Sequence, residues 1–114
     1  MSGRLSRNKG ARFEREVAQV FKDAGYDAKR CFQTRGGAAE VPDVEVLDTP
    51  FPLDIECKHG KKPPVRRALD SIVEHCRQGR LPVAIIREDR RDAYCVLPLA
   101  VFMELYNEAC RCQD

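Results

Sequence analysis

At 114 residues the chain is sized for one domain with a modest core, and an apolar share of 43% is ordinary for a globular protein and too high for a disordered one. No run approaches the roughly 18 apolar residues of a membrane span, and MSGRLSRNKGARFERE lacks the apolar centre of a secretory signal, so an intracellular protein with no membrane contact is expected. A net charge of +2 announces no polyanionic partner, but the cations are clustered: Arg4, Arg7, Lys9, Arg12 and Arg15 near the start, then Lys58, Lys61, Lys62, Arg66 and Arg67.

In chain order, residues 1–10 read as a basic flexible arm and 11–114 as a single domain. Residues 11–24 suit a helix, with Phe13, Val17, Val20, Phe21 and Ala24 as one apolar stripe. Gly25 stops it with a left-handed cap. A strand over 26–32 follows, then a loop over 33–42, where paired Gly and a Pro break both helix and strand. Residues 43–47 and 53–58 read as an antiparallel hairpin around DTPFP. HGKKPP breaks the chain again before a second helix over 65–78, whose stripe is Val65, Ala68, Leu69, Ile72, Val73 and Cys76, with Gly79 as its stop. Residues 82–87 are almost wholly apolar, as in a strand buried on both faces. EDRRD turns into a strand over 93–97, and Pro98 opens a last helix over 98–110. The order α-β-β-β-α-β-β-α makes an α/β domain, a central mixed β-sheet flanked by helices.

Six cysteines raise zinc and disulfide readings, but no CxxC pair occurs and Cys110-x-Cys112 is the one close spacing. Cys57, Cys76 and Cys95 fall on apolar faces, where a reduced thiol is a small hydrophobe. The expectation is reduced structural thiols, with a zinc-bound interaction protein through Cys110 and Cys112 as the outlying alternative.

The chemistry concentrates in the hairpin. Glu56 and Lys58 lie two residues apart on a strand, so both project from one face. Pairing Leu47 with Pro52 sets Asp43 opposite Glu56, and pairing Asp48 with Leu53 sets it opposite Lys58. Either register puts Asp43 on their face, and a slip of one residue turns it away. Two close carboxylates repel unless a cation lies between them, and a hard ion such as Mg²⁺ accepts carboxylates while leaving positions for phosphate oxygens. Lys58 beside the pair suits charge developing on a phosphate. Glu14 lines up with Val17 and Phe21, so it stands at the margin of the buried helical stripe, directed toward the sheet. The plain alternative is a solvated sheet face with cross-strand ion pairs.

Pro42-Asp43 followed by Ile55-Glu56-Cys57-Lys58 resembles the signature of the PD-(D/E)XK nuclease superfamily. Lys9-Gly10, Glu14-Arg15-Glu16, Gly25-Tyr26 and the Gly36-Gly37 loop are similar to the archaeal-type Holliday junction resolvases. The resemblance spans residues 8–58 closely and implies a restriction-endonuclease-like fold. It implies Asp43, Glu56 and the backbone carbonyl of Cys57 as metal ligands, Lys58 as the catalytic lysine, and Glu14 as an acid assisting metal or water. Lys9 and Arg15 match basic residues near the scissile phosphate. Also implied are Mg²⁺, with Mn²⁺ substituting, no small-molecule cofactor, and a homodimer that nicks a four-way DNA junction symmetrically to leave 5′-phosphates. The chain departs from the resolvases in its longer loop, where Thr34 stands in for a usual serine.

Lys61, Lys62, Arg66 and Arg67, on a loop and a helix start, suit phosphate contacts, and Arg12 and Arg35 are read as further DNA contacts. His59 is turned away from Glu56 and Lys58 by alternation, and Glu45 and Asp54 share the site's face as supporting residues at most. The function expected is a metal-dependent, structure-selective DNA endonuclease. Its rivals are a related nuclease acting on flaps, nicks or duplex DNA, and a DNA-binding module with a degenerate site.

Overall fold

The computed structural model describes residues 3–32 and 41–112. Its order is α1 (Gly3–Asp23), β1 (Asp27–Arg30), β2 (Val44–Leu47), β3 (Leu53–Gly60), α2 (Val65–His75), β4 (Leu81–Glu88), β5 (Tyr94–Val96) and α3 (Leu99–Arg111). The five strands make one sheet in the order β1-β2-β3-β4-β5. β3 and β4 pair in parallel and all other neighbours are antiparallel, so the sheet is mixed, as expected. A parallel pair needs a crossover, and α2 supplies it.

The two faces of the sheet are covered differently. Phe13, Val17 and Ala18 of α1 pack with Ala28, Val44, Val46, Ile55, Cys57, Val83 and Ile85 on one face. Ala68 and Ile72 of α2 pack with Ala84 and Ile86 on the other. β4 alternates between these two cores, which is why its sequence reads as an unbroken apolar run.

Several boundaries differ from expectation. α1 begins at Gly3 rather than residue 11, so the stretch expected as a flexible arm is helical from that point. Arg, Leu and Lys are strong helix formers, and one interior Gly10 costs only about 1 kcal/mol. Val20, expected in the buried stripe, is exposed, and Ala18 takes its place. α2 stops at His75, short of Gly79. Its continuation is taken by Arg77, whose N–H and guanidinium both turn to Asp54. Cys57 is in the core as expected, whereas Cys95 is exposed on the short edge strand β5. All six cysteines are free thiols. Most of the loop expected over 33–42, with Thr34 and Arg35, lies outside the described residues. Among the described residues no helix is long and apolar enough to cross a membrane.

Candidate active site

The hairpin takes the first of the two registers considered: Val44 pairs with Ile55, Glu45 with Asp54 and Val46 with Leu53. Asp43 precedes the ladder and departs from simple alternation. Its N–H donates to the Ile55 carbonyl at 2.9 Å, and its Oδ2 accepts the N–H of Cys57 at 2.8 Å. A side chain thus occupies the next rung of the ladder, so Asp43 sits in the fork where β2 leaves β3 instead of standing on one face. From this fork it meets groups on both sides of the sheet.

On one side is Glu14 of α1, whose Oε1 lies 3.1 Å from Arg30 Nε. On the other are Glu56 and Lys58, with Lys58 Nζ 3.5 Å from Glu56 Oε2. Glu56 is largely buried, and Lys58 keeps 41% of its side chain exposed. Burial, then Asp43, Glu14 and Glu56 in turn, push the Cys57 thiol far up. The charges of three acids therefore reach one residue of β3. Burial also raises the Asp43 carboxyl, against the Cys57 N–H and the charges of Lys58 and Arg30. Burial and then the Asp43 charge raise Glu14, against Arg30 and Lys58. Such a group of desolvated acids is electrostatically unfavourable until a cation offsets it.

Among the described residues no three His, Cys, Asp or Glu side chains close on a single metal-sized point. Glu14 faces Arg30 and Glu56 faces Lys58, so two of the acids turn toward internal cations.

The remaining predicted residues scatter. Lys9 forms an ion pair with Asp89 beyond β4, at 2.7 Å. Arg12 and Arg15 are exposed on α1. Lys61 and Lys62 are exposed just past β3, and Arg66 pairs with Asp70 one helical turn on, at 3.2 Å. Arg67 is exposed on α2. His59 does turn away from the fork. It packs on Phe13 at 5.2 Å between ring centroids, and its Nε2 lies 3.3 Å from Asp89.

Sequence reasoning missed two features. Arg30, at the end of β1, is the cation that holds Glu14. Arg77 and Arg80 hold Glu45 and Asp54, with Arg77 Nη2 2.7 Å from both carboxylates. Glu45 and Asp54 are cross-strand partners, and two adjacent acids on a buried face signal that cations must come from elsewhere.

Restriction-endonuclease-like nucleases are built on a mixed sheet of this kind flanked by helices, and this chain has that fold. Its coordinates are similar to those of Hjc from Archaeoglobus fulgidus, a Holliday junction resolvase from an archaeal hyperthermophile. The TM-score is 0.64, with 23% identity over 77% of this chain and 76% of that one. No curated protein matches the sequence. The family described as "Phage putative PDDEXK endonuclease" matches residues 5–111, and the chain belongs to that family.

Proposed function

We propose that the protein is a divalent-metal-dependent, structure-selective DNA endonuclease of the Holliday junction resolvase type, acting as a homodimer that nicks opposed strands and leaves 5′-phosphates. The observation that carries the reading is the Asp43 carboxylate held on the N–H of Cys57, between Glu56 and Lys58 of β3, with Glu14 of α1 within its electrostatic reach. Family membership supports phosphodiester chemistry, and the likeness to an archaeal resolvase supports the fold on which it is built.

The donors suit a hard cation in type and charge: carboxylates of Asp43 and Glu56, the Cys57 carbonyl beside them, and Glu14 within electrostatic reach. These residues would hold Mg²⁺, or Mn²⁺ in its place. A bound divalent cation supplies Lewis acidity toward a phosphodiester. The chain's own residues do the rest. Asp43 is fixed by the Cys57 N–H, so its second oxygen is aimed without reorganisation. Lys58, the half-exposed member, stabilises charge developing on the phosphate. Arg30 holds Glu14 in place and can release it to a cation, since the pair is only partly buried.

The test compares wild type with Asp43→Asn on a labelled four-way junction, with Mg²⁺ and with chelator. Wild type should give paired symmetric nicks only with metal, and Asp43→Asn should bind the junction without cutting it. Equal cutting by both ends the site assignment. Cutting confined to flaps, nicks or linear duplex moves the protein to another nuclease type, and binding with no metal-dependent nicking makes it a degenerate binding module.

A further inference from the structure

Beside the acidic fork lies a groove of about 390 Å³ between α1 and β1. Arg15 and Lys22 of α1 line it, two helical turns apart, together with Lys29 and Arg30 of β1 and Phe32 just beyond. Glu14 faces Arg30, and Glu45 lies 3.4 Å from Lys29, so two carboxylates meet four cations and the lining is electropositive. A row of cations leading to a phosphodiester site matches a nucleic-acid backbone.

Phe32 is the unexpected member. It keeps 73% of its surface exposed, and among the described residues it belongs to neither core cluster. The Arg30 guanidinium lies 4.9 Å from its ring centroid. One face of the ring is thus backed by a cation that also holds Glu14, and most of the side chain's surface is exposed. An exposed aromatic at the end of a basic groove is the arrangement by which unpaired bases are stacked without sequence preference.

We propose that Phe32 is a stacking platform for an unpaired base, on a DNA strand whose phosphates follow Arg15, Lys22 and Lys29 toward the fork. Its contribution is recognition of branch points, where bases leave the duplex. The proposal rests on the nuclease reading for what happens to the strand, but the binding it describes does not require cutting.

The test uses the full chain in chelator and a forked DNA with 2-aminopurine at the unpaired position. Wild type should quench the aminopurine on binding. Phe32→Ala should lose the quench and weaken fork binding about tenfold, with affinity for fully paired duplex within about twofold. Phe32→Trp should restore both. The double variant Lys22→Glu, Lys29→Glu should lower the slope of log affinity against log salt by about 2. Unchanged quench and affinity in Phe32→Ala overturn the proposal. So does unchanged DNA binding with an altered sedimentation coefficient, which assigns the ring to a protein contact. A parallel nicking assay with Mg²⁺ separates the two readings. Stacking without nicking leaves the platform standing and removes the hydrolase, whereas nicking indifferent to Phe32 does the reverse.

Discussion

Asp54 is fully buried, yet it is a charged residue on a sheet face. It is satisfied by the Arg77 N–H and guanidinium and by Arg80, at 2.7–3.2 Å. Burial pushes its carboxyl up, but the Arg77 hydrogen bonds, then the Arg77 and Arg80 charges, outweigh it and hold the group below its usual range. Glu45 is likewise lowered by Arg80 and Arg77 against its burial. Removing one partner of a buried pair costs about 3–5 kcal/mol, and the lower figure applies because the Arg77 head is partly solvated. Asp54→Ala should therefore lose about 3 kcal/mol in urea unfolding. The pH dependence follows from the sign: with both acids depressed, the unfolded chain binds more protons in acid. Stability is then full above the ordinary carboxylate range and falls as pH drops below about 4. Wild type should show this acid loss, and Asp54→Asn should show a shallower one.

Asp43 behaves oppositely. It is lifted by burial, so its charged form weighs against the fold at neutral pH. Asp43→Asn should melt higher than wild type in chelator, because the uncharged side chain carries no desolvation penalty of an ionised group. Mg²⁺ or Mn²⁺ should raise the melting temperature of wild type by mass action and leave the variant where it was. A variant that melts lower in chelator, or that gains as much from metal as wild type, contradicts the charge argument. Sequence named the four fork residues because strand alternation, the helical stripe beside Glu14 and the nuclease-like motif point at them. It did not name Arg30, Arg77 or Arg80, because their partners lie 16 to 35 positions away and no local pattern links them.

Among the elements, α1 shows how local chemistry sets a boundary. Its end is a Schellman closure: the Tyr26 N–H donates to the Phe21 carbonyl at 3.0 Å, and the Gly25 N–H donates to Lys22 at 2.9 Å. Gly25 has φ +95°, and a Cβ there would meet no atom within 4 Å. The cost of Gly25→Ala is thus backbone strain alone, about 1–2 kcal/mol, read as a lower urea midpoint with unchanged m-value. This stop was legible because glycine carries its own geometry. The end of α2 was not, since Asp54 of β3 draws Arg77 out of helical continuation. Asp43 teaches the same lesson at the hairpin. Alternation predicted its register, but the fork placement depends on a side chain substituting for a backbone rung.

At the scale of the whole molecule, one helix face is left exposed among the described residues. Leu99, Phe102, Met103 and Tyr106 recur at one face of α3 and are 75%, 47%, 41% and 53% exposed. Phe102 and Tyr106 stack on each other at 5.7 Å. Contiguous exposed apolar surface of this kind favours association, and the proposed paired nicking needs two sites related by a two-fold axis, for which a self-complementary face is the simplest geometry. The homodimer reading therefore predicts that wild type sediments as two copies at micromolar concentration. Leu99→Glu with Phe102→Glu should sediment as one copy and still melt cooperatively, because both side chains are solvent-facing. On a four-way junction the double variant should give single, uncoordinated nicks in place of paired ones. A double variant that remains dimeric removes α3 from the interface, and a wild type that is monomeric while making paired nicks removes the dimer itself.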